Sequence, residues 1–140
     1  ELLYMNIVPS ISCEGIMIRL AAAALALMLS ATAALAQAQL VMFEEAGCMW
    51  CARWNDEIAD IYPLSAEGMV APLVRLQIDD SVPADVFLQR KVTFTPTFVL
   101  LLDGVETGRI EGYPGEDFFW GLLVVLFDRA GIETAAQADG

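Results

Sequence analysis

The chain has 140 residues, enough for one domain but short for two, and its 57% apolar content is sufficient to bury a core. Lys and Arg total 7 against 19 Asp and Glu, and the formal net charge of −12 argues against a nucleic-acid partner and against binding to an anionic membrane surface. The chain contains no His, which excludes Ser-His-Asp and Cys-His catalysis and removes the commonest metal ligand.

The first part of the chain differs in composition from the rest. Met17-Ile18-Arg19 supplies a start and a positive charge, and residues 20–36 carry no charge and end in the small-residue sequence Ala-Leu-Ala. This order predicts a secretory signal peptide over residues 17–36, cleaved near Gln37 or Gln39. An uncleaved membrane anchor is the alternative, but a span needs about twenty apolar residues and this segment is shorter.

The elements of one domain follow over residues 37–140, whereas residues 1–16 are expected to be an upstream extension without a role. Short apolar runs and period-two alternation predict four strands, at 40–43, 73–78, 98–102 and 108–111. Helical spacing and turn signals predict three helices, one from residue 49 to about 61 with Trp54, Ile58 and Ile61 on its buried face, one over 84–91 and one over 118–127.

The conspicuous motif is Cys48-Met49-Trp50-Cys51, between the first predicted strand and the first predicted helix. The unpaired N–H groups and the dipole at a helix N-terminus stabilise a thiolate, so we expect the pKa of the Cys48 thiol to lie below its ordinary value. Two intervening residues let the second sulfur reach the first and close a disulfide. Cys48, nearer solvent, is the predicted nucleophile, and Cys51 is the predicted resolving thiol.

Other roles for the cysteine pair fit the sequence less well. A zinc site needs about four ligands, and the mature chain offers two cysteines and no His. A purely structural disulfide remains open, but so small a loop adds little stability. Covalent haem attachment requires a His after the second cysteine, where Ala52 stands. Redox chemistry is therefore favoured, with no metal or other cofactor.

A second motif, Phe94-Thr95-Pro96-Thr97, lies directly before the third predicted strand. A proline at a strand entry invites a cis peptide bond, although an ordinary trans turn proline is the alternative. Strand, C-x-x-C and helix, followed by Thr-Pro-Thr-Phe-Val-Leu-Leu-Leu-Asp-Gly and Arg-Ile-Glu-Gly-Tyr, resemble the thioredoxin superfamily over about residues 40–127. The resemblance implies a shortened thioredoxin-like α/β fold of order β-α-β-α-β-β-α, with a mixed sheet flanked by helices.

The resemblance also implies roles for particular residues. Pro96 would be the cis-proline that faces the cysteine pair, Thr95 would present its backbone to a substrate, and Gly112 would lie beneath the active-site groove. Trp50, inside the cysteine motif, is expected to be partly exposed and to contact a partner.

The sequence departs from thioredoxin at the acid–base position. Met42 stands where thioredoxin carries its buried Asp, six residues before the first cysteine, so proton transfer to Cys51 needs water or another group, for which Glu44 is the candidate. Glu45 is expected to point the other way. The run Glu-Glu-Ala-Gly-Cys-x-x-Cys-x-x-Trp, followed by Glu-Ile, is most similar to exported thioredoxin-like proteins encoded with bacterial sulfur-oxidation operons.

The resulting hypothesis is a periplasmic, monomeric thiol–disulfide oxidoreductase that reduces a disulfide in a partner protein. The resemblance implies a carrier protein of sulfur oxidation as substrate and a membrane thiol-electron transporter as reductant. Two alternatives remain open on the sequence: a net oxidant that introduces disulfides, and a redox-responsive regulatory binding module without turnover.

Overall fold

The computed structural model describes residues 36–134, so the predicted extension and, apart from Ala36, the predicted signal peptide lie outside the described residues. This part of the chain forms four strands and three α-helices, with a 3₁₀ turn at Tyr62–Leu64. The strands are β1 (Ala38–Glu44), β2 (Leu73–Gln77), β3 (Thr97–Leu102) and β4 (Val105–Glu111), and the helices are α1 (Met49–Glu57), α2 (Ala66–Val70) and α3 (Glu116–Ala130). None of the helices in the described range is long and apolar enough to cross a membrane.

The four strands form one mixed sheet in the order β2-β1-β3-β4. β1 runs parallel to β2, and β3 runs antiparallel to both β1 and β4. Phe43 is paired with Thr97, so the end of β1 adjoins the start of β3. The loop that leaves β1 towards the cysteines and the loop that enters β3 through Pro96 therefore emerge side by side.

Successive side chains of β1 point to opposite faces of the sheet, and the buried residues form one cluster on each face. Leu40 and Met42 face a cluster that contains Cys51 and the buried sides of α1 and α3. Val41 and Phe43 face a smaller cluster with Val92. A mixed sheet flanked by helices is the architecture that the resemblance implied.

The segment 84–91 is not a helix, and that prediction was wrong. The Phe87 N–H donates to the Gly104 carbonyl at 2.8 Å, and the Phe87 carbonyl accepts from the Glu106 N–H at 3.0 Å. The backbone of this segment is thus hydrogen-bonded to the outer edge of β4, and a helix would need the same groups for itself. β4 accordingly begins at Val105, earlier than the predicted 108.

The helix that begins after Cys48 is shorter than predicted. Trp54 and Ile58 are fully buried, but α1 ends at Glu57 and Ile61 is 43% exposed. The 3₁₀ turn and α2 that follow were not predicted. At α2 the backbone of Gly68 packs on the Tyr62 carbonyl, an approach that a Cβ would prevent. The last helix is confirmed and extends to residues 116–130.

Candidate active site

The two cysteines of the motif lie at the N-terminus of α1 and form a disulfide, with Cα atoms 5.2 Å apart. Cys48 is the N-cap residue, with extended backbone angles, and its Sγ accepts a hydrogen bond from the Cys51 N–H at 3.1 Å. An N–H donor and the positive end of a helix at one sulfur favour negative charge on that atom once the pair is reduced.

Accessibility distinguishes the two sulfur-bearing residues. Cys51 is 3% exposed and belongs to the core cluster with Trp54 and Met42. Cys48 is partly exposed and packs against the edge of that cluster. An external disulfide can therefore approach the Cys48 sulfur. The Cys51 sulfur is buried, and the atom that it can contact is the Cys48 sulfur.

The two residues between the cysteines are exposed, Met49 by 72% and Trp50 by 46%. The Arg53 guanidinium lies over the Trp50 ring at 5.9 Å from its centroid. Exposed apolar side chains grouped in this way are typical of surfaces at which proteins bind one another. No role for Arg53 was predicted from the sequence.

Arg53 also contacts Glu57, which in turn contacts Tyr113. Its Nε donates to Glu57 Oε1 at 2.9 Å, and the Tyr113 hydroxyl donates to Glu57 Oε2 at 2.5 Å. The hydrogen bond from Tyr113, with that from Arg53, holds the pKa of Glu57 below its usual value. Burial, together with the bond to Glu57, raises the pKa of Tyr113. Arg53 and Glu57 are four residues apart in a helix, and opposite charges at this spacing in the sequence favour an ion pair.

The second motif lies beside the first, as the strand pairing requires. The Thr95–Pro96 peptide bond is cis, Pro96 is buried and Thr95 is partly exposed. The Pro96 carbonyl accepts a hydrogen bond from the Gly112 N–H at 2.8 Å. Gly112 has a φ of +87°, a conformation that side-chain-bearing residues rarely adopt.

The two acidic residues before the cysteines point to different neighbours. Glu44 is part of β1, which extends one residue beyond the predicted 40–43, and its Oε2 accepts from Arg75 Nη1 at 2.9 Å. Arg75 also bonds to Asn55 and lies over the Trp54 ring. Glu45 Oε1 accepts a hydrogen bond from Thr95 Oγ1 at 2.6 Å. Neither Arg75 nor the Glu45–Thr95 bond was anticipated.

No group of three His, Cys, Asp or Glu side chains within residues 36–134 is placed to hold a metal ion. The site consists of one accessible sulfur, one buried sulfur three residues later and the adjoining loop, in which Thr95 is partly exposed. These are the elements needed for thiol–disulfide exchange with a protein.

Among solved structures, the chain is similar to the periplasmic thioredoxin SoxS from Paracoccus pantotrophus in its reduced form. The two share 57% sequence identity with a TM-score of 0.65, and the match covers 66% of this chain and 98% of the SoxS chain. No protein-family model matches the sequence, and no curated protein matches it either.

Proposed function

From the premise that this chain belongs to the thioredoxin family, as a relative of periplasmic SoxS, we propose that it is an exported oxidoreductase that reduces a disulfide in a partner protein. The observation that carries the proposal is the unequal exposure of Cys48 and Cys51 at the start of α1. A thiol–disulfide redox role follows from the family, and the direction and the roles below are the proposal.

The reaction begins with the reduced pair. The Cys48 thiolate attacks one sulfur of the partner's disulfide, a new bond forms between Cys48 and the partner, and the other partner sulfur leaves as a thiolate that takes up a proton. Cys51 loses its proton and attacks the Cys48 sulfur. The mixed disulfide breaks, the second partner sulfur leaves as a thiol, and two electrons have passed from the Cys48–Cys51 pair to the partner.

The surroundings of the pair supply three further roles. The Cys51 N–H at the Cys48 sulfur stabilises the attacking thiolate, since it is already directed at that atom. Trp50 and the Thr95–Pro96 loop flank the accessible side and contact the partner. Glu44, on the side of the sheet that carries Met42, accepts the Cys51 proton during resolution.

The biological setting is also part of the proposal. The similarity to a periplasmic thioredoxin supports export, which the predicted signal peptide over 17–36 would provide. The substrate is then a sulfur-oxidation carrier protein with an oxidised cysteine. The spent disulfide is reduced again by a dithiol of a membrane thiol-electron transporter.

Two measurements test the function. Residues 37–140 should catalyse the reduction of insulin by excess dithiothreitol, and Cys48→Ser should abolish the catalysis. The equilibrium with glutathione should give a reduction potential near −250 mV, whereas a value above about −150 mV would indicate an oxidant. Wild-type protein without turnover would instead support a redox-responsive binding module.

A further inference from the structure

We propose that Glu45 is a positioning residue, which holds Thr95 in place for the incoming partner chain. The inference rests on the proposed function. The two residues are 50 positions apart in sequence, yet the Thr95 hydroxyl donates to Glu45 Oε1 at 2.6 Å. A distance of this size is typical of an O–H donor on an ionised carboxylate, which forms stronger hydrogen bonds than a neutral acceptor.

The bond joins the two loops that flank the accessible sulfur. Glu45 begins the loop that leads to Cys48, and the Cys48 N–H donates to the Glu45 carbonyl at 3.3 Å. Thr95 lies in the loop before β3. Within residues 36–134, regular pairing of β1 with β3 stops at Phe43 and Thr97, and the Glu45–Thr95 bond is the hydrogen bond that connects the two loops beyond that point.

The remaining sides of the Thr95 loop are held by other groups. The Thr97 hydroxyl donates to the Phe94 carbonyl at 2.9 Å, and the Pro96 carbonyl accepts from Gly112. These bonds fix the loop from the β3 and β4 sides. Glu45 fixes it from the cysteine side, so the relative position of Thr95 and Cys48 depends on the Glu45 side chain.

The consequence is specific to a polypeptide substrate. A partner chain must contact both the Cys48 sulfur and the Thr95 loop, and a loop already held in place loses less conformational entropy on binding. Loss of the Glu45–Thr95 bond should therefore raise KM and leave kcat nearly unchanged. A small disulfide reagent contacts the sulfur alone and should be insensitive to the bond.

A mutant cycle with insulin and a small disulfide, 5,5′-dithiobis(2-nitrobenzoate), tests the inference. Glu45→Ala and Thr95→Val should each raise KM for insulin about three- to tenfold, the range for the net contribution of one hydrogen bond at an exposed position. The double variant should be no worse than either single one, because both remove the same bond. Glu45→Gln keeps an acceptor oxygen and should restore KM to within twofold of wild type. Asp56→Ala, which removes an exposed acid from α1, is the matched control for lost charge.

Four results would overturn the positioning role. These are an unchanged KM in Glu45→Ala, additive effects in the double variant, a Glu45→Gln variant as weak as Glu45→Ala, or an equal slowing of the small reagent. The first of these, with normal wild-type turnover, leaves the proposed function intact. Absence of turnover in the wild type would overturn both proposals.

Discussion

Glu44 and Arg75 form an ion pair across β1 and β2, with 2.9 Å between Oε2 and Nη1. Met42, two residues before Glu44, is paired with Arg75 in the parallel register, so the ion pair is a diagonal contact on the face that also carries Met42. The guanidinium covers the ring of Trp54, three residues after Cys51. The carboxylate proposed as proton acceptor is thereby held on the Cys51 side of the sheet.

The first prediction concerns this carboxylate. Glu44→Gln should slow resolution of the mixed disulfide several-fold, because the amide cannot accept the Cys51 proton. Alkylation of Cys48 at fixed pH should stay nearly unchanged. Gln retains an acceptor oxygen for Arg75, so the ion-pair geometry is kept as a hydrogen bond. Rapid mixing of the reduced protein with a protein disulfide measures both steps.

Glu45→Gln is the matched control, since its side chain is directed at Thr95 and should leave resolution at the wild-type rate. Equal resolution rates in wild type and Glu44→Gln would assign the proton transfer to water.

The second prediction assigns the nucleophile. Cys51→Ser leaves the exposed Cys48 able to attack but removes the thiol that resolves the mixed disulfide, so a covalent complex with an insulin chain should accumulate on a non-reducing gel. Cys48→Ser should form little complex, because Cys51 is 3% exposed. Greater accumulation in Cys48→Ser would reverse the two roles.

The third prediction concerns a buried ion pair on β4. Arg109 donates to both carboxylate oxygens of Glu106 at 2.6 Å, and the side chains are 6% and 1% exposed. Burial alone would raise the pKa of Glu106, but the hydrogen bonds from Arg109 and the Gln89 N–H hold it below the ordinary value. Because the pKa of Glu106 is lower in the folded state, its ionisation stabilises the fold at pH values above the unfolded-state pKa of about 4.3. This stabilisation is lost as the pH falls through the folded-state pKa.

Urea unfolding should therefore show the free energy of unfolding falling below about pH 5, with a smaller dependence in Glu106→Gln. At pH 7 the free energy of unfolding of that variant should fall by about 3–5 kcal/mol, because Arg109 stays buried without the carboxylate that it contacts at 2.6 Å and keeps Glu111 at 3.8 Å. Asp56→Asn, at an exposed position, should keep the wild-type pH dependence. The same dependence in Glu106→Gln and wild type would show that other groups are responsible.

The fourth prediction tests the close contact between Gly68 of α2 and the Tyr62 carbonyl. A Cβ on Gly68 would lie 1.8 Å from the Tyr62 carbonyl oxygen, so Gly68→Ala should reduce the free energy of unfolding by about 1–3 kcal/mol. Gly121 lies within α3 with open space around its Cα, and Gly121→Ala should stabilise by about 0.5–1 kcal/mol. Denaturant unfolding compares the two, and equal effects would contradict the proposed clash.

Features that depend on neighbouring residues could be predicted from the sequence. The strand before Cys48, the helix after it and the last helix follow from hydrophobic spacing and from residues that begin or end an element, and these are local properties. The same local rules failed over 84–91, whose composition suits a helix. The backbone of that segment is hydrogen-bonded at the outer edge of β4. Its partners there lie more than fifteen positions later in the sequence, so local rules do not detect them.

The polar contacts between separate elements, in contrast, depend on the tertiary structure. Glu45 reaches Thr95, Glu57 reaches Tyr113 and Arg75 reaches Glu44, across 50, 56 and 31 positions of sequence. A sequence pattern records the character of each side chain, but a side-chain hydrogen bond forms within about 3 Å and depends on where separate strands place their ends. The pairing of Phe43 with Thr97 brings the loops of Glu45 and Thr95 together, and no spacing in the sequence encodes that pairing.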